Sequence, residues 1–170
     1  MRNRYDFRSC LKINLAYENV HLSWVEKQAI MIGWFYYKTP LNMAEAIDKA
    51  IRFLNQDQED GPDEPRPRVF SFEKDSRLIY AAFLQTHHVD LQTATLHWFQ
   101  FLALFDDLHP DTAFCQLRNL RYRLKTGKAT KEERIAALEI EDLLDLPELD
   151  TRTYAERLKE KRFMDILNHV

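Results

Sequence analysis

A chain of 170 residues, 45% hydrophobic and 30% charged, carries enough apolar material to fold without disulfide support. Three glycines and six prolines are too few turn residues for an all-β chain, which must reverse direction every several residues. A net charge of −3 gives no global attraction to nucleic acid or to a membrane surface.

Helical spacing begins at once. A first helix is predicted from near Asp6, with Phe7, Leu11 and Leu15 at i, i+4, i+8. Ser23 and Glu26 form a capping box that opens a second, carrying Ala29, Ile30, Ile32, Phe35 and Tyr36 and ending before Pro40. A third starts at Asn42, with Glu45 three residues on and a stripe of Met43, Ala46, Ile47, Ala50, Ile51 and Leu54. The pattern then stops. From Asn55 to Arg68 there are three prolines, one glycine, a run of carboxylates and no aliphatic residue, a composition that cannot offset its chain entropy by burial.

A second unit opens at Ser71. Its first helix is expected over about Phe72 to Thr86, apolar on nearly every face and therefore central, with a break at His87, His88, Val89 and Asp90. The next runs from about Gln92 to Phe105, with Trp98, Phe101, Leu102 and Phe105 on one stripe. Pro110 opens another, striped by Ala113, Leu117, Leu120 and Leu124 and closed by Gly127. Thr130 and Glu133 form a further capping box, for a helix to about Leu144 with Ala136, Ile140 and Leu143 inward. Beyond Pro147 a charged helix is expected over Thr151 to Asn168, apolar only at Phe163, Ile166 and Leu167. The fold class is all-α, about eight helices: a three-helix unit over 1–55, an acidic Pro-containing linker over 56–68, a helical unit over 69–146 and a C-terminal helix over 147–170.

Chemistry-bearing residues are present without the spacing chemistry needs. Cys10 and Cys115 sit among helical apolar residues and read as reduced core thiols. His87, His88, Asp90 and His97 lie close in sequence, but adjacent histidines diverge and no zinc-ligand spacing joins them, so no metal and no other cofactor is expected. His97 reads instead as a capping residue. Asp106 and Asp107, and the acids Glu139, Glu141, Asp142 and Asp145, read as solvated helix faces and ends rather than general acids. With no nucleophile elbow or phosphate loop, a noncatalytic protein is expected. No signal-like segment or membrane-length apolar run is visible, which points to the cytoplasm and to no membrane partner.

Two features suggest binding. Most of the aromatics Phe83, Trp98, Phe101 and Phe105 belong in a core, but any exposed edge of their helix would be an apolar patch for a partner helix. Arg118, Arg121 and Lys125 fall at i, i+3, i+7, with Arg123, Lys128 and Lys131 nearby. Such a face reads as a solvated helix face or a grip on an acidic partner helix, with nucleic-acid phosphates as the rival. Trp98, Phe101, Arg118 and Arg121 form the expected partner-contact set.

These residues also carry a resemblance. Asp75, Leu78 through Gln85, Val89 to Leu91, Leu96 to Trp98 with Phe101, Ala103 and Leu104, then Arg118, Asn119 and Arg121 stand in the order of the bacteriophage "gene product fifteen" family. Tyr5 to Arg8 with Leu11, Leu22, Ser23, Glu26 and Lys27, Asn42, Glu45 and Ala46, and Phe53 and Leu54 follow it too. The likeness covers about residues 5–125. It departs where His87, His88 and Val89 replace an aromatic–glycine pair and an isoleucine, and where Phe99 replaces a second tryptophan. The resemblance implies a tail-morphogenesis protein, encoded between the major tail and tape measure genes of long-tailed phages and prophages. That placement in turn implies a tail assembly chaperone of the host bacterial cytoplasm, which coats the apolar, helical tape measure protein until tube subunits polymerise around it. Self-association, or pairing with a second tail chaperone, would accompany that role. A structural tail or connector component of the virion, and a nucleic-acid-binding regulator, are the rival expectations.

Overall fold

The computed structural model describes residues 4–56 and 67–147. Among these residues there are eight helices and no strand: α1 (Phe7–Glu18), α2 (Trp24–Phe35), α3 (Met43–Leu54), α4 (Ser76–His87), α5 (Trp98–Asp106), α6 (Ala113–Lys125), α7 (Lys131–Glu139) and α8 (Glu141–Leu144). The all-α expectation holds. Most of the expected acidic linker and all of the expected last helix lie outside the described residues.

Local chemistry sets most of the boundaries. The Asp6 carboxylate accepts the Arg8 N–H at 3.0 Å and caps α1. Ser23 and Glu26 form the anticipated box on α2, Asn42 caps α3 through the Glu45 N–H, and Thr130 with Glu133 closes a box on α7. Each side-chain acceptor satisfies an amide that the first helical turn leaves unpaired. Gly127 follows α6 at φ +72°, a left-handed conformation that glycine adopts without a Cβ penalty.

Four boundaries differ from the periodicity reading, the first being α4, which starts at Ser76 rather than near Phe72 because the Asp75 carboxylate takes the Ser71 N–H at 3.0 Å and folds residues 71–75 into a turn. α5 starts at Trp98 rather than near Gln92, because the Asp90 carboxylate takes the Gln92 N–H at 2.8 Å and the Thr93 hydroxyl at 3.2 Å, folding those residues into a turn. α6 is opened by Thr112, whose hydroxyl accepts the Cys115 N–H, and not by Pro110. The single helix expected to reach Leu144 is broken at Ile140 (φ −122°) into α7 and α8.

Two hydrophobic clusters fill the interior. The larger joins Phe7 and Cys10 of α1 to Ile79, Ala82 and Phe83 of α4, Trp98, Phe101 and Phe105 of α5, and Phe114 and Cys115 of α6. The smaller joins Ile13 of α1 to Met31, Ile32 and Phe35 of α2 and Ala46 and Ala50 of α3. α1 therefore packs into both, and Phe53 and Leu54 lie against both. Phe101 is central to the larger cluster. Its ring stacks 5.2 Å from Phe7 and 5.2 Å from Phe83, with Trp98 at 5.5 Å. The N-terminal segment is pinned between α2 and α5: Arg4 donates its N–H to the Phe35 carbonyl, and the Tyr5 carbonyl accepts the Trp98 N–H at 2.7 Å.

Candidate partner-binding groove

The expected contact set is mostly interior. Trp98 is 2% exposed, and its indole N–H donates to the Leu54 carbonyl at 3.0 Å. Phe101 is fully buried. Arg121 is 2% exposed: its guanidinium forks onto Asp75 at 2.6 and 3.0 Å and also donates to the carbonyls of Val69, Leu143 and Leu144. These three residues cannot meet a partner while the chain stays folded; they hold the body together. Helical spacing had put Arg121 on a shared face with Arg118 and Lys125, but spacing alone does not say which way that face turns. The buried Asp75 carboxylate turns Arg121 inward.

Arg118 remains half-buried, its guanidinium 5.7 Å from the Phe114 ring centre. Three other cations of the supposed basic face, Lys131 aside, have partners within the chain. Arg123 forks onto Glu133 at 2.6 and 3.2 Å, Lys125 donates to the Arg68 carbonyl at 2.8 Å, and Lys128 stands over Tyr122. Such internal pairing leaves little free positive charge for phosphates.

The candidate metal cluster is likewise engaged elsewhere. His97 caps α5, its Nδ1 accepting the Phe99 N–H while Gln100 accepts the His97 N–H. The His87 ring nitrogen Nε2 donates to the Leu104 carbonyl at 2.8 Å, and Asp90 accepts the Tyr80 hydroxyl. No group of three or more metal-type ligands converges among the described residues. No described helix is long and apolar enough to cross a membrane.

An open groove lies instead between α6 and the α7–α8 pair, with a volume of about 570 Å³. α6 lines it with Ala113, Leu117 and Leu120 and the polar Gln116 and Asn119. Ala136, Ile140 and Leu143 face them from α7 and its continuation, and Leu78 of α4 joins the lining. These positions repeat at three or four residues on both helices, the spacing of ridges that receive a third helix. The Arg123–Glu133 ion pair also lines the groove. Hydrogen bonds from Arg123, then from the Thr130 N–H, hold the Glu133 carboxyl below its ordinary pKa, so the pair stays charged at neutral pH.

α7 is thinly covered. Ala137 is its one buried residue, whereas Ile135 is 57% and Leu138 74% exposed, with exposed Leu143 on α8. Three large aliphatics open to water on two short helices form the kind of patch that partners cover. Its sequence signal lay in Ile135 and Leu138, apolar residues that fall off the inward stripe of Ala136, Ile140 and Leu143. A partly exposed aromatic does lie on α5, as the apolar-edge argument required, but it is Phe99 and not Trp98 or Phe101.

A family model described as Bacteriophage Gp15 protein matches residues 4–146, which span all eight described helices. No curated protein and no solved structure matches the chain.

Proposed function

The chain belongs to the Bacteriophage Gp15 family, and from that premise we propose that it is a noncatalytic tail assembly chaperone binding helical segments of the tape measure protein in the host cytoplasm. The family membership makes it a phage structural or morphogenesis protein; the chaperone role is the finer reading. The single observation that supports it best is the open α6–α7–α8 groove, whose apolar lining includes the exposed Leu143. An amphipathic helix laid there would bury its own apolar stripe against Leu117, Leu120, Ile140 and Leu143. Each large aliphatic fully removed from water contributes ~1.5–3 kcal/mol, so a few anchors suffice for micromolar binding after association costs.

A tape measure protein is long, helical and apolar before its tube forms around it, and it needs such cover. Co-expression with the cognate tape measure should raise that protein's soluble fraction and yield a complex that co-purifies. The chain itself should be absent from purified virions by mass spectrometry. An insoluble tape measure with no complex would refute the chaperone role, and stoichiometric presence in particles would favour a structural tail component.

A further inference from the structure

A second surface, sharing no residue with the groove, lies where the N-terminal segment meets α1 and α2. Arg4 stands with its guanidinium carbon 4.9 Å from the Tyr37 ring centre and 5.9 Å from that of Trp34. Lys12, in the second turn of α1, places its ammonium 3.8 Å from the same Trp34 ring. Tyr37 is 57% exposed, Trp34 and Arg4 are half-buried, and Lys12 and the following Lys38 are exposed. None of Arg4, Lys12 and Lys38 has a carboxylate within ion-pair distance among the described residues. The nearest acid in sequence, Asp6, caps α1 and pairs with Arg8. Three cations unmatched by acid, two of them lying on aromatic rings, stand out on a chain whose net charge is −3.

We propose that this cation-on-aromatic face is a docking surface for an acidic segment of another protein. A guanidinium lying on a ring keeps its N–H edge free, and that edge matches a carboxylate in a two-pronged hydrogen bond. The ring beneath limits the side chain's freedom and shields one side of the charge from water, which strengthens the pairing relative to a free surface arginine. Lys12 on Trp34 supplies a second fixed charge for a second carboxylate. Single-stranded nucleic acid fits less well. Its bases would stack on the ring faces that these cations already cover, and three cations are few for a phosphate track.

The test uses the full chain and three fluorescein-labelled probes: a decapeptide of alternating Glu and Ala, its Gln–Ala counterpart, and ten-nucleotide oligo-dT. Fluorescence anisotropy at low salt should show the Glu peptide binding at least about tenfold more tightly than either other probe, weakening as salt rises. Arg4→Ala with Lys12→Ala should reduce that affinity about tenfold or more. Lys128→Ala with Lys131→Ala, which removes two cations elsewhere, should leave it within about twofold. Both double variants alter surface side chains, and far-ultraviolet circular dichroism verifies their folds. Equal loss in the two variants, no loss in the first, no binding of the Glu peptide, or preference for oligo-dT would each overturn the proposal. Because the probe contains no apolar anchor for the groove, its outcome is independent of whether the tape measure is the partner.

Discussion

Arg121 concentrates the energetics of the second half of the chain into one side chain. It ties α6 to Asp75 before α4, to Val69 in the preceding segment, and to the carbonyls of α8. Replacing it with Met would leave the Asp75 carboxylate buried without its counter-ion and orphan three carbonyls, at a cost of about 3–5 kcal/mol. Urea unfolding monitored by circular dichroism should show that loss. Adding Asp75→Leu should recover only part, because the carbonyls of Val69, Leu143 and Leu144 stay unpaired. Cys10 is predicted to be inert for a related reason. Burial, then the nearby Asp6 charge, pushes its thiol up to about 12, so it is a neutral thiol at ordinary pH. Alkylation at pH 8 should modify Cys10 only on unfolding; rapid modification of the native protein would contradict the packing of α1. Cys10 was legible as a core thiol from its apolar helical neighbours, but the inward turn of Arg121 was not, since a periodic position tells which residues share a face and not which buried acid will claim one of them.

Element by element, the capped starts of α1, α2, α3 and α7 were the most legible part of the chain, because a cap is a contact between residues two or three apart. Ser23→Ala should cost about 1 kcal/mol in thermal or urea unfolding. Where longer-range or competing local bonds intervene, sequence periodicity overran. The Asp90 turn took Gln92 to Ala94 away from α5, and the change of backbone direction at Ile140 split the helix expected to reach Leu144. α4 ends at His88 in a left-handed conformation (φ 56°), which costs a residue with a Cβ. His88→Gly should therefore stabilise the protein by about 0.5–1 kcal/mol, measured as a rise in the urea midpoint at unchanged slope. The capping carboxylates add a pH dependence. Glu26, held low mainly by the Ser23 hydroxyl, and Glu133, held low mainly by Arg123, both have folded-state pKa values below the ordinary 4.5. Their contribution is present above that value and is lost as pH falls through the depressed folded values. Stability should thus decline on acidification below about pH 4.5 and be flat in this respect above it.

At the scale of the whole molecule, the aromatic density of residues 70–122 marked the position of the core correctly, and it left no exposed edge at Trp98 or Phe101. Rings such as Phe101 are so well surrounded by Phe7, Phe83 and Trp98 that nothing is left for a partner. The uncovered apolar surface sits on α7 and α8, whose aliphatics look unremarkable in sequence beside so many aromatics. That α1 would pack into both clusters was also beyond local reading, because Phe7 and Ile13 meet residues that follow them by up to about a hundred positions. On the proposed function, the chain grips a helical partner through the α6–α7–α8 groove. The most direct test is amide hydrogen exchange of the free protein and of its complex with the cognate tape measure. Exchange should slow in residues 113–144, and Leu143→Asp, a change within the groove lining, should weaken the complex about tenfold or more and remove that protection. A tight complex that left 113–144 exchanging at free-protein rates, indifferent to Leu143→Asp, would contradict that grip.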